Sequence, residues 1–291
     1  MGIDFNPTFF SHEKAAKLTL SSPDEEIRRF WIRHGQACIR ISRYFAEELG
    51  QSCVMNIWIP DGYKGIPADR LGPRARFKDS LDQIFALRQD RQYVVDVLEG
   101  KLFGIGVESF TVGSHEFYLA YAAKNHVGVC MDTGHYHPTE SVVDKLSSVA
   151  LLVDDLMLHI SRGIRWDSDH VLIQCDDLTS LMQEMKRGGF FGKIAMGLDY
   201  FDASINRVAA WVIGLRAAGK GMLTALLEPS HLLEQAEAAG DYTTRLALME
   251  EFKNLPINAV WNALCLQTGV PVNTDWLTSL KQYEQAVQSK R

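Results

Sequence analysis

Apolar positions recur along the chain in two different periods. Six apolar runs have the length of a strand, and longer segments between them repeat their apolar residues every three to four positions. The strand runs are residues 2–7, 53–59, 93–99, 127–132, 156–161 and 194–199. A further run, residues 171–175, is an additional strand candidate outside this series. The alternation is typical of repeated βα units around a parallel sheet.

The segments between and after the strands are predicted to be helices. Those within the alternating part cover residues 23–49, 76–87, 115–123, 140–150 and 178–187. For the first helix, Ser22 is the predicted N-cap and Gly50 the predicted end. Beyond Asn206 only helical patterns follow, at residues 209–227, 230–239, 242–253, 257–266 and 275–289. We therefore predict a barrel part over residues 1–205 and a helical C-terminal extension over residues 206–291.

The first predicted strand begins almost at residue 1, with no helix before it. A closed (β/α)₈ barrel needs eight strands, and six are predicted here. We therefore expect barrel strands to be missing upstream of this sequence.

Composition and charge exclude several classes of protein. The 291 residues are 46% hydrophobic and 23% charged, as in an ordinary globular protein. A net charge of −6, with dispersed basic residues, argues against a nucleic-acid partner. No apolar stretch approaches the roughly 20 residues of a membrane span, and the N-terminus does not resemble a signal peptide. A cytoplasmic protein is predicted, with its five scattered cysteines as buried, reduced thiols.

Carboxylates and imidazoles follow successive predicted strands. The candidates are Glu99, Asp132, His135, His159, Asp167, Asp169 and Asp199. Taken alone, each Asp is more often a turn former, and His159 is more often a histidine of the core. Independent capping, however, does not predict that all these side chains lie at one end of a parallel barrel. Two like charges about 4 Å apart cost about 4 kcal/mol at an effective dielectric of about 20, so the cluster needs cations. Carboxylates and imidazoles without thiolates favour Mn²⁺, Mg²⁺ or Co²⁺ over structural zinc.

Two further residues have two interpretations each. Lys101 follows Glu99 by two positions, and could extend into the same cavity or lie in solvent. Trp58 could form the wall of a pocket or fill the core.

Long motifs identify a family. NIWIPDG at residues 56–62, KLFGIG at 101–106, DTGHYHPTE at 132–140, RWDSDH at 165–170 and GLDYFDASINR at 197–207 closely resemble L-rhamnose isomerase. The likeness runs the whole length of the chain. It implies a (β/α)₈ TIM barrel that lacks its first two βα units. A substrate-contacting histidine of the family, which lies in those units, would be missing as well. It also implies interconversion of L-rhamnose and L-rhamnulose, two metal sites, usually manganese, and a homotetramer.

The resemblance also assigns roles to residues. By matching motifs, Glu99, Asp132, His159 and Asp199 would hold a structural metal, and His135, Asp167 and Asp169 a catalytic metal. Trp58 and Lys101 match substrate-pocket residues, and Lys101 and Asp199 would act in catalysis. Hydrogen could move by a metal-assisted hydride shift or through an enediol.

Two alternatives remain beside this hypothesis. Open sheet edges left by missing strands would suit an inactive barrel remnant that keeps metal and oligomer contacts. A metal-dependent hydrolase uses the same ligand types, but it does not account for the long motifs.

Overall fold

The computed structural model describes residues 2–102, 109–163, 170–202 and 204–291. They form two compact units. The first comprises Met1–Ser168 and Gly192–Asp199, and the second comprises Asp169–Phe191 and Tyr200–Arg291. The predicted division at residues 205 and 206 stays a prediction.

The first unit contains eight strands in its described residues. They are β1 (Ile3–Phe5), β2 (Cys53–Ile57), β3 (Gly62–Tyr63), β4 (Val94–Glu99), β5 (Phe110–Thr111), β6 (Gly128–Asp132), β7 (Leu156–Ile160) and β8 (Ala195–Leu198). Six of them pair in parallel in the order β1-β2-β4-β6-β7-β8, so all six strands of the predicted series are confirmed. β3 and β5 form a separate antiparallel ribbon. That ribbon was not predicted, because strands of two residues have no detectable period.

The six-stranded sheet curves into a nearly closed barrel. Asp4 of β1 reaches across the interior, with its Oδ2 3.7 Å from His159 Nε2 of β7. A Cβ placed on Gly197 of β8 would lie 3.5 Å from the same oxygen. Asp4 on the first strand therefore lies close to the last strand. The predicted α/β barrel architecture is confirmed, whereas the number of missing βα units stays a prediction.

Strand alternation divides the barrel residues into an inner and an outer face. Val97, Cys130 and Met157 pack together on the inner face. The outer positions of the same strands pack against the helices, as Leu98 does in the main core cluster. Because side chains two positions apart share a face, Glu99, Asp132 and His159 follow these inner residues into the barrel interior.

The described residues of the first unit contain four α-helices: α1 (Glu25–Leu49), α2 (Leu71–Phe85), α3 (His115–Asn125) and α4 (Val143–Ala150). The predicted N-cap Ser22 was wrong. Asp24 caps α1, because its carboxylate accepts hydrogen bonds from the main-chain N–H groups of Glu26 and Ile27. Gly50 ends α1 as predicted, in the left-handed conformation with φ of 63°.

The second unit is helical in its described residues. Its helices are α5 (Asp176–Arg187), α6 (Arg207–Leu227), α7 (Ser230–Ala238), α8 (Tyr242–Phe252), α9 (Ile257–Thr268) and α10 (Trp276–Ala286). The additional strand predicted at residues 171–175 was wrong, since these residues form neither strand nor helix. By length and composition alone α6 passes as a membrane-span candidate, which is weak evidence. The five cysteines are free. All five were predicted to be buried; four are, whereas Cys175 is partly exposed.

A fully buried carboxylate joins two loops of the first unit. Asp61 accepts hydrogen bonds of 2.5–3.0 Å from the main-chain N–H and hydroxyl groups of both Thr19 and Ser21. Its own main-chain oxygen accepts from Val112 N at 2.9 Å. The side chain therefore satisfies four donors that have no access to water.

Asp61→Ala is expected to lower the free energy of unfolding by about 3–5 kcal/mol, since it leaves these buried donors without an acceptor. Urea unfolding measures the loss. Asp69→Ala is the control, because Asp69 bonds one main-chain N–H, of Gly72, at an exposed position. An Asp61→Ala loss no larger than the Asp69→Ala loss would contradict this account.

A second buried carboxylate, Asp96, lies on the outer face of β4. Burial raises the pKa of Asp96 to about 7, and the nearby Arg88 opposes this. A folded-state pKa above the unfolded value of 3.8 means that the folded chain binds the proton more tightly. Asp96 therefore lowers stability progressively as pH rises from about 4 to about 7.

As the pH rises through that interval, the free energy of unfolding of Asp96→Asn is expected to increase relative to that of the unmodified chain, by on the order of 4 kcal/mol. Urea unfolding of both proteins at pH 4 and pH 8 gives this difference, and titrations common to both cancel. A stability difference that does not change with pH would show that Asp96 is ionised in the folded state throughout.

Candidate metal centre

Four predicted ligands converge inside the barrel from four different strands. One donor atom each of Glu99, Asp132, His159 and Asp199 lies within 4.8 Å of the other three. Strand register produces this, because Asp132 is the Cα partner of His159 and His159 that of Gly197. The first three side chains are buried, whereas the Asp199 side chain is 30% exposed.

His159 lies at the centre of the group. Its Nδ1 is 3.2 Å from Asp199 Oδ2, 3.3 Å from Glu99 Oε2 and 4.0 Å from Asp132 Oδ2. Neither ring nitrogen makes a well-aligned hydrogen bond within the described part of the chain. Buried polar atoms are normally hydrogen-bonded. Donor atoms that converge without bonding each other are the arrangement expected of metal ligands.

His135 belongs to the same cluster. Its Nδ1 lies 2.9 Å from Glu99 Oε1, and its Nε2 lies 3.9 Å from Asp132 Oδ2. Its main-chain oxygen accepts a hydrogen bond from Leu102 N at 3.2 Å. Asp167 and Asp169, the other predicted ligands of the second site, lie outside the described residues. The division of ligands between two sites therefore stays a prediction.

Neighbouring polar groups orient the carboxylates. Ser161 Oγ and Gly134 N donate hydrogen bonds of 2.9 and 2.6 Å to Asp132 Oδ1. Asn56 Nδ2 donates to Glu99 Oε2. The bonds to Asp132 Oδ1 leave its Oδ2 facing the two imidazoles, and the bond from Asn56 holds the Glu99 carboxylate in place. Asn56 was not predicted, although its position before Ile57 on an alternating strand could have indicated an inward side chain.

The cluster attracts positive charge. Burial would raise the pKa of Glu99, but His159 and His135 hold it well below its ordinary value. Burial would lower the pKa of His135, but Asp132 and Glu99 raise it to about 9. Burial raises the pKa of Asp132 to about 6, in part because Glu99 lies close by. Without a metal ion, protons on the imidazoles compensate the carboxylates, and a divalent cation fits the same need.

Lys101 and Trp58 contact each other in the first unit. Lys101 is 8% exposed, and its Nζ lies 4.9 Å from the centre of the Trp58 ring. Lys101 is therefore not a solvated surface lysine. Phe10 packs edge-on against Trp58, with ring centres 5.6 Å apart. The buried indole Nε1 of Trp58 has no acceptor among the described residues.

Comparison with protein families gives one match over the whole chain. The model of the family L-rhamnose isomerase (RhaA) matches residues 1–291. L-rhamnose isomerase of Rhodopirellula baltica is 53% identical over 290 residues, which are 99% of this chain and 68% of that protein. L-rhamnose isomerase of Yersinia pseudotuberculosis serotype IB is 52% identical over 292 residues, which cover 100% of this chain and 70% of that protein.

Solved structures share the fold at low sequence identity. The structure of an L-ribulose 3-epimerase matches with a TM-score of 0.58 and 12% identity, over 80% of this chain and 78% of that one. A putative xylose isomerase from Rhodospirillum rubrum matches with a TM-score of 0.51 and 11% identity, over 74% of this chain and 75% of that one. The fold is therefore similar to that of TIM barrels.

Proposed function

The chain belongs to the L-rhamnose isomerase family, and we propose that it is a metal-dependent aldose–ketose isomerase that interconverts L-rhamnose and L-rhamnulose. One observation carries the proposal: Glu99, Asp132, His159 and Asp199 bring their donor atoms together at the end of a parallel barrel where such enzymes bind substrate. An inactive barrel remnant is not favoured.

Mn²⁺ is the proposed cofactor at two sites, with Co²⁺ or Mg²⁺ as alternatives. Glu99, Asp132, His159 and Asp199 would hold one ion, and His135 with Asp167 and Asp169 the other. The oxygen-rich donor set supports a hard or borderline cation. When bound, the ions supply Lewis-acid polarisation of the carbonyl and hydroxyl oxygens of an open-chain sugar.

Three residues are proposed to act on the sugar directly. The Lys101 ammonium group would donate a hydrogen bond to a sugar oxygen and hold a proton there as charge develops. Trp58 would cover an apolar face of the sugar and exclude water. Asp199 is the most exposed carboxylate of the cluster, and its outward oxygen would accept a hydrogen bond from a sugar hydroxyl.

The two routes for hydrogen transfer predict different labelling in deuterated solvent. A hydride shift keeps the migrating hydrogen on carbon, so the ketose would carry no deuterium there. An enediol whose proton exchanges with solvent would introduce deuterium at that carbon. Proton NMR of the product distinguishes them.

The decisive test of function is isomerisation by the purified chain supplied with Mn²⁺. We expect ketose from L-rhamnose at about 1 s⁻¹ or faster, loss of activity with EDTA, and recovery when Mn²⁺ is returned. A folded protein that binds Mn²⁺ but forms no ketose would favour the remnant hypothesis instead.

A homotetramer in the cytoplasm is proposed from the family resemblance. Large apolar side chains on the helices of the second unit support an oligomer, since Leu226, Leu227 and Leu246 are 57%, 42% and 58% exposed. Multi-angle light scattering should give a mass near four times 32.7 kDa. A monomer at micromolar concentration would contradict the proposed assembly.

A further inference from the structure

A buried thiol lies beside the metal ligands. Cys130 is 1% exposed and precedes Asp132 by two positions on β6, so both side chains face the barrel interior. Glu99 is its Cα partner on the neighbouring β4. The strand that provides the Asp132 carboxylate thus also provides a sulfur atom on the same face, two positions earlier.

The thiol forms a second donor group with two of the same ligands. Cys130 Sγ, a carboxylate oxygen of Glu99 and a ring nitrogen of His159 all lie within 4.8 Å of one another. Donor atoms around one tetrahedral ion, with bonds of about 2.0–2.3 Å, lie about 3.3–3.8 Å apart. The 4.8 Å limit is about 1 Å longer than this, so the three donors would move slightly closer together around an ion. His159 is itself buried, and neither ring nitrogen makes a well-aligned hydrogen bond within the described residues.

We propose that Glu99, Cys130 and His159 form an alternative site for thiophilic divalent ions such as Cd²⁺ and Zn²⁺. Thiolate sulfur prefers these ions, whereas carboxylate oxygen suits Mn²⁺ and Mg²⁺. As the sulfur–metal bond forms, the thiol proton passes to solvent, and no atom is oxidised or reduced.

The two donor sets exclude each other. Glu99 and His159 belong both to the Cys130 site and to the group with Asp132 and Asp199. An ion bound at the Cys130 site therefore takes two ligands away from an ion bound by that group. Cd²⁺ is therefore expected to displace Mn²⁺ from the cluster. This inference concerns metal binding alone and does not need the chain to be an active isomerase.

Ultraviolet absorption of the metal-free full chain during titration with CdCl₂ tests the proposal. Sulfur-to-cadmium charge transfer gives a band that should saturate at one equivalent and disappear in Cys130→Ser. Cys53→Ser is the matched control, because Cys53 is a buried strand thiol that bonds Val54 O instead. Cys38→Ser is a second control, since Cys38 Sγ lies 3.7 Å from His34 Nε2. Both controls should keep the band, and its persistence in Cys130→Ser would overturn the proposal.

Competition between Cd²⁺ and Mn²⁺ gives an independent test, made first on the unmodified chain and then on Cys130→Ser. Electron paramagnetic resonance detects free Mn²⁺, and stoichiometric release is expected when CdCl₂ is added to the Mn²⁺-loaded protein. In Cys130→Ser the same release should need about tenfold more Cd²⁺ or a greater excess. If the full charge-transfer band appears while Mn²⁺ stays bound, the sites do not overlap and the proposal fails. Should Cys130→Ser not fold by circular dichroism, the unmodified chain decides alone, because its sulfur-to-cadmium band must then grow in step with the release of Mn²⁺.

Discussion

Glu99→Gln is expected to weaken Mn²⁺ binding by about 100-fold or more and to reduce isomerase activity accordingly. Glu99 contacts both imidazoles, at 2.9 Å from His135 and 3.3 Å from His159, so it links the two groups of predicted ligands. The amide keeps the size of the side chain and can still accept from Asn56. It removes the negative charge, and it replaces one donor oxygen with an NH₂ group that cannot bind a cation. Isothermal titration calorimetry with Mn²⁺ measures the loss directly.

Asp96→Asn is the matched control for Glu99→Gln. It makes the same change from carboxylate to amide on the same strand, three residues earlier and on the opposite face. Its Mn²⁺ affinity should lie within about twofold of that of the unmodified chain. A Glu99→Gln protein with unchanged Mn²⁺ affinity would remove Glu99 from the ligand set, whatever its activity.

Metal binding also adds stability by mass action. At a free Mn²⁺ concentration 1,000 times the dissociation constant, the folded state gains about 4.1 kcal/mol. The midpoint of thermal unfolding should therefore rise with Mn²⁺ in the unmodified chain and much less in Glu99→Gln. This readout is independent of turnover, so it separates lost metal binding from lost chemistry.

The sequence predicted the cluster of carboxylates and imidazoles because its geometry follows from local rules. The carboxyl ends of parallel strands lie at the same edge of a sheet, and the alternation of side chains fixes which face each residue occupies. Asp132 and His159 each lie two positions after an inward apolar residue, Cys130 and Met157, and the structure places them together. To predict that they converge, only the number and order of the strands had to be known.

Contacts that depend on tertiary packing could not be predicted in this way. Asp4 approaches His159 because β1 comes round to face β7 across the interior. The bond from Asn56 to Glu99 likewise joins side chains on adjacent strands that are far apart in sequence. Asp61 is separated from Thr19 by 42 positions, and no period in the sequence relates them. Each of these contacts is set by tertiary packing rather than by local pattern.

Lys101→Met is expected to lower kcat by about 10²- to 10⁴-fold while leaving Mn²⁺ affinity nearly unchanged. Methionine keeps an unbranched apolar side chain against the Trp58 ring but removes the ammonium group. Lys101 is buried in the first unit, two residues beyond Glu99, and its charge acts electrostatically on His135 of the cluster. If the ammonium group acts only as charge develops on the sugar oxygen, kcat should fall with little change in KM.

Lys145→Met is the control for the general effect of removing a lysine that lies over an aromatic ring. Lys145 Nζ is 5.5 Å from the centre of the Tyr136 ring, and it pairs with Glu140 at 3.3 Å. Because this lysine is outside the proposed pocket, its loss should leave kcat within about twofold. If Lys101→Met raised KM and left kcat intact, Lys101 would bind the sugar without a role in proton or charge transfer. Steady-state kinetics with L-rhamnose at saturating Mn²⁺ distinguishes these results, since a catalytic ammonium group predicts a loss in kcat that added metal does not restore.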